Sequence, residues 1–409
     1  MGAGTLGMIM SSPGQTYSVA IFIDHFIQDL GISRSLVSVL YTVGTLVGGL
    51  SLPIIGRQID RRGPRALVVA IATLLGLSCI YMGLVQNALM LALGFIAIRM
   101  FGQGSLGLVS QNVINQWWVR RRGTVIGISG MMMALFGVGG FPNLINWLIH
   151  LFGWRYAYVF LGLLLLLVMV PVGFLFFRNE PEDYGLKPDG GNQMPGSTGP
   201  AERQPIEENW TTQEAMRTPV FWVVAAAIGV IAMLATGLIF HLVSIFRDNG
   251  LSPAIAASVF VPLSVTSAIV NLAGGVLIDR IPVRFLLAAA LFFQALSLVA
   301  AQFLSGVGMV LVYGIVLGTT TGLLVTVHGV VWAKYFGRKH LGSITGITTT
   351  ILIVASSLGP MPLAIAHDLL GSYNPVLTAS AIPPLLLGAA SLFLCRPPHK
   401  RGHEQIPVT

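Results

Sequence analysis

The stretch GRQIDRRGPR, from Gly56 to Arg65, is the most informative part of this sequence. It places five charged residues in ten positions, although only 9% of the 409 residues are charged and apolar runs flank it on both sides. A second copy, GVLIDRIPVR, begins at Gly275 and ends at Arg284. A charged phrase that occurs twice in an apolar chain indicates two equivalent positions in the fold.

The two copies belong to a longer internal repeat. They stand 219 residues apart, and the same offset pairs Asp60 with Asp279 and the segment GTVIGI at Gly123 with GSITGI at Gly342. An ungapped offset that holds over several segments predicts a duplicated unit whose copies are joined by a connecting segment.

The composition predicts a membrane protein. Hydrophobic residues make up 54% of the chain and the mean hydropathy is +0.80, which is too apolar for a soluble protein of this length. Apolar stretches of about 20 residues recur, and they are continuous rather than alternating, as membrane-spanning helices require. We predict an all-α membrane protein of twelve transmembrane helices in two pseudo-symmetric six-helix bundles, with spans 3–29, 33–57, 64–85, 88–117, 123–149, 154–177, 219–246, 252–278, 283–304, 307–335, 341–369 and 374–395.

These spans divide the chain into four parts. We expect an N-terminal six-helix bundle over residues 1–177, a cytoplasmic linker over 178–218, a C-terminal six-helix bundle over 219–395 and a cytoplasmic tail over 396–409. The linker contains KPDGGNQMPGSTGPAERQ, whose glycine and proline content is typical of a flexible connection, and a short helix is predicted near its end, from about Thr212.

Basic residues predict the orientation of the spans. If both termini are cytoplasmic, 19 of the 23 lysines and arginines fall in inner segments, whereas the outer segments carry only Arg34, Arg155 and Arg247. This bias follows the positive-inside rule. We expect a multi-pass protein of the cell membrane with both termini in the cytoplasm and a first helix that is retained rather than cleaved. The net charge of +8 then reflects topology in a lipid bilayer rather than binding of nucleic acid.

Two six-helix halves with this charged phrase between their second and third helices resemble the major facilitator superfamily. GRQIDRRGPR is similar to the signature loop of that family, and RMFGQGSLG, which begins at Arg99, is similar to its fourth-helix motif. The segments SSPGQTYSVAIFIDHFIQDLGISRS in helix 1 and QWWVRRRGTVIGISG before helix 5 resemble the bacterial branch of monocarboxylate and oxalate/formate carriers. The resemblance implies alternating access around a central site lined by helices 1, 4, 7 and 10.

The resemblance also implies that the repeated loop is a latch between the two halves. At Gly56 a neighbouring helix can approach closely, and the Asp60 carboxylate can accept hydrogen bonds from arginines or from a helix N-terminus. The alternative is a positive-inside tether in which Asp60 is only a local cap. The predicted latch residues are Gly56, Asp60, Arg61, Arg65, Asp279 and Arg280.

Polar residues within the apolar spans are the candidates for a substrate site. Pro13 and Gly14 interrupt helix 1, either to line a cavity or as a packing kink. The spacing of Arg99, Gln103 and Ser110 puts them on one face of helix 4. The histidines and the Ser/Thr/Asn stripes could instead serve helix packing. The predicted substrate-binding residues are Arg99, Gln15, Tyr17, Gln103, Asn271, His241 and His328, and the predicted proton-coupling residues are Asp24, His241 and His328.

Arg99 is the only arginine or lysine deep inside a predicted span. A cation at the bilayer centre costs about 2.5–3.5 kcal/mol, so a counter-charge or a hydrated cavity is expected beside it. An anionic substrate would supply that charge, and the alternative is a structural role on helix 1 groups such as Gln15. The related carriers often hold a substrate-binding arginine in helix 8 and a lysine in helix 11, whereas this chain has Asn271 at the first position and no lysine at the second.

No constellation of residues predicts an enzyme. The sequence lacks the common hydrolase and nucleotide-binding motifs, its histidines and cysteines lack metal-ligand spacing, and no cofactor is expected. Cys79 and Cys395 lie in or near apolar segments, so no disulfide is expected. We predict a monomeric transporter that moves a small organic anion, such as a monocarboxylate, together with protons. The alternative is a proton-coupled exporter of amphipathic drugs or metabolites, favoured by the methionine- and glycine-rich segment GISGMMMALFGVGGFP.

Overall fold

The computed structural model describes residues 1–190 and 208–398. The middle of the predicted linker and nearly all of the predicted tail therefore lie outside the described residues. The described chain is built from helices: α1 (Gly2–Met10), α2 (Thr16–Leu30), α3 (Arg34–Arg62), α4 (Pro64–Gly83), α5 (Ala88–Ile98), α6 (Gly107–Trp117), α7 (Arg122–Met132), α8 (Phe141–Leu164), α9 (Val170–Phe176), α10 (Thr212–Met216), α11 (Pro219–Phe240), α12 (Leu242–Asp248), α13 (Pro253–Ser258), α14 (Phe260–Arg280), α15 (Val283–Ala300), α16 (Val307–Phe336), α17 (Leu341–Leu358), α18 (Pro360–Leu370), α19 (Asn374–Ser380) and α20 (Ile382–Leu394).

Ten helical segments of the described chain are long and apolar enough to cross a membrane. Their number differs from the twelve predicted spans for two structural reasons. The segment Arg122–Phe176 contains two predicted spans, which meet at Gly153, where φ is +81°. The predicted span 3–29 is divided into α1, a short 3₁₀ turn at Ser12–Gly14 and α2, and neither helix is long enough to cross alone.

Short π-helical stretches join several of these helices. They cover Arg99–Leu106 between α5 and α6, Met133–Gly140 between α7 and α8, and Leu165–Met169 between α8 and α9. A π-helical turn carries one extra residue and is frequently found at functional sites. The uniform α-helices expected from the sequence are therefore interrupted at the motif that begins with Arg99.

Each half of the chain has its own hydrophobic core. One cluster of buried side chains is formed wholly by residues 19–177, with Phe22, Phe26 and Tyr158 stacked at its centre. A second cluster is formed mainly by residues 210–395, around Trp332 and Phe336, and a third lies within residues 234–381. The cores therefore follow the internal repeat, because each copy buries its apolar side chains chiefly against itself.

The two halves meet at one end of the molecule. We call this end the basic face; α3, α6, α14 and α16 end there, at Arg62, Trp117, Arg280 and Phe336. Helix α3 packs along α17, and α14 packs along α7. The α3–α17 contact runs from Gly56 beside Gly342 to Gly49 beside Ile353. Closer to the opposite face, α3 leaves Val39 and Val43 57% and 45% exposed, so the halves are closed together at the basic face.

Candidate functional site

We number the membrane-spanning helices by predicted span, so that helix 1 comprises α1 and α2, helix 2 is α3, and helix 4 comprises α5, the π-helical stretch Arg99–Leu106 and α6. The break in helix 1 is held against helix 4. Pro13 lies in the 3₁₀ turn Ser12–Gly14 and interrupts the helix. The backbone becomes extended at Gln15, where ψ is 155°. A Cβ atom at Gly14 would collide with the main-chain carbonyl oxygen of Ile98 and come within 2.7 Å of Gly102 Cα. Only glycine allows this approach, so the break is set by close backbone contact between helices 1 and 4.

Arg99 lies at this break and is 2% exposed. Its Nη1 donates to the carbonyl oxygen of Gly14 at 2.8 Å, and its Nε donates to Thr45 Oγ1 at 2.9 Å. The guanidinium also lies over the ring of Tyr41, 4.6 Å from its centre. The carbonyl of Gly14 is one of those that the break leaves free, so Arg99 joins the broken helix to helices 2 and 4.

The charge of Arg99 has no anionic partner in the described chain, where no carboxylate lies within 4.0 Å of it. Its Nη2 likewise has no hydrogen-bond acceptor among the described residues. The fork formed by Nη1 and Nη2 is half used, because Nη1 already bonds to Gly14. A ligand that reaches Arg99 in this conformation would bind through Nη2, and two-point binding would require the Gly14 bond to break.

The other predicted groups of helices 1 and 4 lie around the same break. Gln15 Nε2 donates to Ser11 Oγ at 3.2 Å, and the hydroxyls of Tyr17 and Ser12 are 2.9 Å apart. Gln103 is half-buried, and its main-chain nitrogen lies beside Gly14. Arg99 and Gln103 both lie within the π-helical stretch Arg99–Leu106, so their spacing there differs from that of the regular α-helix assumed in the prediction.

The remaining predicted titratable groups lie apart from Arg99. His241 caps α11, where its Nε2 donates to the carbonyl oxygen of Pro360 at 3.0 Å and its Nδ1 lies 3.2 Å from the Tyr373 hydroxyl. Asp24 is exposed on α2. His328 is half-buried on α16, and its buried Nε2 has no partner among the described residues. The structure thus distributes the three groups over two bundles rather than in one cluster.

Asn271 lies at the interface between the two halves. It is 3% exposed and packs against Gly127 and Gly130 of α7, while its Oδ1 accepts a hydrogen bond from Thr326 Oγ1 at 3.3 Å. A substrate would have to displace this packing to reach the side chain. In this conformation Asn271 is a contact between helices, and it is separated from Arg99.

Sequence reasoning missed a second set of polar contacts between the halves. Asn115 Nδ2 donates to the carbonyl oxygen of Gly329 at 2.9 Å, and Thr345 Oγ1 donates to Asn112 Oδ1 at 3.2 Å. The second amide oxygen or nitrogen of each asparagine is buried without a partner among the described residues. The sequence NVINQ on helix 4 could have indicated these amides, because asparagine and glutamine are rare in apolar spans.

The two repeated aspartates make matching contacts across the halves. Asp60 at the end of α3 accepts hydrogen bonds from the main-chain nitrogens of Gly342 and Ser343, at 2.8 and 2.7 Å. Asp279 at the end of α14 accepts from the nitrogens of Gly123 and Thr124, at 2.7 and 2.8 Å. The hydroxyls of Ser343 and Thr124 donate to the same carboxylates. Each half therefore caps the N-terminus of a helix in the other half, and a carboxylate is the favoured group there.

The predicted arginines of the latch do not bind these carboxylates. Arg65 donates instead to the carbonyl oxygen of Phe174 within its own half, at 2.9 and 3.1 Å. Arg280 is exposed. Arg61 lines a cavity of about 710 Å³ at the basic face, together with Asp60 and residues of the connection and of the second half. The latch contacts in this structure are thus carboxylate to main chain rather than carboxylate to arginine.

Glu180 also lines this cavity, outside the membrane-spanning segments. Partial burial raises the pKa of its carboxyl, and the nearby Glu182 raises it further. The positive charges of Arg338 and Lys339 act in the opposite direction and offset part of the rise in this pKa. The basic face therefore carries closely spaced charges of both signs where the two halves meet.

Comparisons with known proteins identify the family. The model of the Major Facilitator Superfamily matches residues 5–265 and 226–408. The oxalate:formate antiporter of Oxalobacter formigenes is 24% identical over 218 residues, which cover 52% of this chain and 47% of that protein. The multidrug resistance protein B homolog of Mycobacterium tuberculosis (strain H37Rv) is 31% identical over 149 residues, which cover 36% of this chain and 26% of that protein. The chain thus spans about half or less of the length of these relatives.

Solved structures show the same fold over nearly the whole chain. The human organic anion transporter MFSD10 (TETRAN) superposes with a TM-score of 0.67 at 15% identity, covering 95% of this chain and 98% of that one. The proton:xylose symporter XylE superposes with a TM-score of 0.66 at 13% identity, covering 96% and 94%. At these identities the likeness establishes the fold alone. Together with the match to the family model, it shows that this chain belongs to the Major Facilitator Superfamily of membrane transporters.

Proposed function

We propose that this transporter moves a small organic anion, such as a monocarboxylate, together with protons by alternating access. The observation that carries the proposal is Arg99, a cation that is 2% exposed at a break in helix 1 and has no carboxylate partner in the described chain. An unpaired cation in an apolar environment is costly, and an anionic substrate would neutralise it. Similarity to an oxalate:formate antiporter supports an anionic substrate.

The anion is expected to bind through Arg99 Nη2, the nitrogen that has no acceptor among the described residues. Tyr17, Gln15 and Gln103 surround the same break and offer hydroxyl and amide donors to a second oxygen. A small carboxylate needs no more than these groups. In this proposal Arg99 has two roles, because it also holds Gly14 through Nη1.

Paired substitutions of Arg99 test the site. Arg99→Lys keeps the charge but loses the planar fork, and Arg99→Gln loses both. We expect Lys to lower affinity for oxalate, formate or lactate by at least about tenfold, because a single ammonium nitrogen does not reproduce the fork that bonds to Gly14 and leaves Nη2 for the anion. We expect Gln to abolish binding, because it also loses the charge that strengthens the hydrogen bond to the anion. Binding and thermal unfolding in detergent should be measured for both variants.

Arg155→Lys is the matched control. Arg155 also donates to main-chain carbonyls and lies over an aromatic ring, but it stands near Asp29 at the opposite face. This control should leave anion affinity unchanged. If the Arg99 variants lose stability but keep full affinity for every anion, Arg99 belongs to the scaffold and the proposed site is wrong.

The group best placed to bind the coupled proton is His241. Pro360 offers only a carbonyl oxygen, so His241 Nε2 carries a hydrogen and Nδ1 of the neutral ring accepts from Tyr373. Protonation of Nδ1 keeps both contacts, because the Tyr373 hydroxyl can then act as the acceptor. We expect His241→Gln to abolish accumulation driven by a pH gradient in proteoliposomes and to leave anion exchange intact. Uptake that never responds to a pH gradient would rule out proton coupling.

Export of amphipathic compounds is the second candidate. It is supported by the 31% identity to a multidrug resistance protein homolog and by the π-helical stretch Met133–Gly140, which follows half-buried methionines on α7. Flexible methionine side chains suit varied apolar cargo. Uptake of radiolabelled oxalate, formate and lactate, compared with efflux of cationic dyes from the same cells, distinguishes the two functions.

A further inference from the structure

The connection between the two bundles makes specific contacts with the basic face. In its first described part, residues 179–190, the Asp189 carboxylate accepts hydrogen bonds from the main-chain nitrogens of Val119, Arg120 and Arg121, at 2.9–3.3 Å. These three residues form the turn between α6 and α7. One carboxylate from the connection therefore satisfies the main-chain donors of a whole turn.

The second described part of the connection does the same in the other half. Asn209 Oδ1 accepts hydrogen bonds from the main-chain nitrogens of Arg338 and Lys339, both at 3.1 Å. Arg338 and Lys339 stand 219 residues after Val119 and Arg120, so they are their equivalents in the repeat. The connection thus places one accepting side chain on the equivalent turn of each half, although the connection occurs only once in the chain.

The backbone of Asp189 is held in an unfavourable conformation. Its φ is +63°, and it is the only residue other than glycine with a positive φ in the described chain. Aspartate tolerates this region better than most residues, but the conformation still persists only where surrounding contacts determine it. The hydrogen bonds from the main-chain nitrogens of residues 119–121 hold Asp189 in this conformation.

These turns precede the helices that the latch carboxylates bind. In the first half, Asp189 accepts hydrogen bonds from the main-chain nitrogens of residues 119–121. Asp279 accepts hydrogen bonds from the main-chain nitrogens of Gly123 and Thr124, just after them. In the second half, Asn209 accepts hydrogen bonds from the main-chain nitrogens of residues 338 and 339, and Asp60 accepts them from the main-chain nitrogens of residues 342 and 343. The connection and the opposite bundle therefore bind main-chain donors that are separated by one residue in the first half and by two residues in the second. A shift of either turn would misalign the donors that the latch needs.

The first part of the connection also reaches the second half directly. Glu182 forms an ion pair of 2.8 Å with the guanidinium of Arg338. The same guanidinium donates to the carbonyl oxygen of Gln116, at the end of α6 in the first half, at 2.7 Å. Arg338 therefore joins the connection to both bundles at the point where Asn209 holds its main chain.

From these contacts we propose that the connection is a two-ended clasp, in which Asp189 and Asn209 are positioning residues that hold the turns before α7 and α17 and so favour closure of the basic face. This proposal rests on the rocking of the two halves in the proposed function, and it is independent of the substrate and of proton coupling. The clasp acts through the main-chain donors that Asp279 and Asp60 bind.

Distances between the halves provide the test. Spin labels on Arg62→Cys and Arg396→Cys report on the basic face, and labels on Gln28→Cys and Val307→Cys report on the opposite face; all four positions are exposed. The two native cysteines, Cys79 and Cys395, are buried. Each pair is placed in the full-length protein, and pulsed electron spin resonance gives the populations of closed and open basic faces.

Three variants of Asp189 distinguish the effect of losing its hydrogen bonds from the effect of its backbone strain. Asp189→Gly removes the acceptor but accepts a φ of +63°, Asp189→Ala removes the acceptor and adds strain, and Asp189→Asn keeps one acceptor and the tolerance for this backbone. We expect the closed population to fall relative to the open one by about fivefold for Gly, by at least as much for Ala and by less for Asn. Asn209→Ala should act in the same direction as Asp189→Gly.

Asp183→Ala is the control on the same segment, because Asp183 is exposed and its side chain makes no hydrogen bond or ion pair within the described residues. It should leave the populations as in the wild type. If the populations of closed and open basic faces are both detected but Asp189→Gly does not shift them, the proposed clasp is wrong, even if Asp189→Ala lowers the thermal stability. This outcome would leave the proposed function unaffected. A single distance for both label pairs under all conditions would instead contradict the rocking movement, and with it the proposed function.

Discussion

The two halves are alike at the basic face and different in the middle of the membrane. At the basic face, Asp60 and Asp279 make the same bonds to equivalent helix N-termini. In the middle, Arg99 of the first half is replaced by Gly318 in the second, and Gly318 packs against the carbonyl oxygen of Leu263. The two copies therefore share the contact at the basic face, whereas the arginine without a carboxylate partner among the described residues occurs in the first copy and has glycine as its equivalent in the second.

The first helix of each half differs in the same way. Helix 1 breaks at Ser12–Gly14, whereas α11 runs without interruption from Pro219 to Phe240 through the equivalent positions. The break exposes the carbonyl oxygen that Arg99 binds. The interrupted helix and Arg99 therefore occur together and in the first half only, whereas the aspartate contacts at the basic face occur in both halves.

The largest expected effect tests the symmetry of the latch. We expect Asp60→Ala and Asp279→Ala each to shift the equilibrium away from the closed basic face by about 10- to 100-fold, because hydrogen bonds to charged groups contribute about 1.5–3 kcal/mol. The double variant should combine both shifts. The distance measurement across the basic face described above checks this. If one variant shifts the equilibrium strongly and the other has no effect, the halves are not equivalent there.

The second prediction concerns the asymmetric centre. Gly14→Ala should lower the free energy of unfolding by about 3 kcal/mol, because its new Cβ would meet main-chain atoms of Ile98 and Gly102, which cannot move aside alone. Gly107→Ala is the control, since nothing lies within 4 Å of a Cβ there. Thermal unfolding in detergent checks both variants. Equal stability of the two would mean that helices 1 and 4 do not depend on close contact at the break.

The smallest expected effect concerns the connection between the halves. Partial burial and the neighbouring Glu182 raise the pKa of Glu180, so the folded protein binds this proton more tightly than the unfolded chain does. The ionised carboxylate is then slightly unfavourable at neutral pH, and stability gains as the pH falls through the raised pKa. We expect Glu180→Gln to increase stability at pH 7 by no more than a few tenths of a kcal/mol and to make no difference in acid, below both pKa values.

Thermal unfolding of Glu180→Gln and of the unsubstituted protein across the same pH series measures this effect. A lower melting temperature of Glu180→Gln at pH 7 would mean that attraction to Arg338 and Lys339 outweighs burial. Because Glu180 lines the cavity at the basic face, the result also shows how the connection contributes to the charge balance of the closed state.

The fold class followed from the sequence because it depends on composition and repetition. Continuous apolar spans need a membrane, and a bilayer leaves helices as the structure for such spans. The repeated aspartate also indicated equivalent positions at the ends of α3 and α14, where Asp60 and Asp279 bind main-chain nitrogens of the opposite half. Its partners were only partly predictable, since arginines and a helix N-terminus both suit a carboxylate, and only the folded arrangement brings Gly342 and Gly123 within reach.

The sequence by itself determined that one unit occurs twice in the chain, that Pro13 and Gly14 interrupt helix 1, and that Arg99 lies deep inside an apolar span. Tertiary structure alone decided which group each polar side chain contacts. Arg99 bonds to the main-chain carbonyl of Gly14, and Asn271 packs between the two halves. Asp189 accepts hydrogen bonds from a turn that lies far away in the sequence. The physical reason is distance along the chain. Hydropathy and repeats are local or periodic properties, whereas a hydrogen bond between segments depends on how whole helices pack, and that packing is a sum over many contacts which no single motif records.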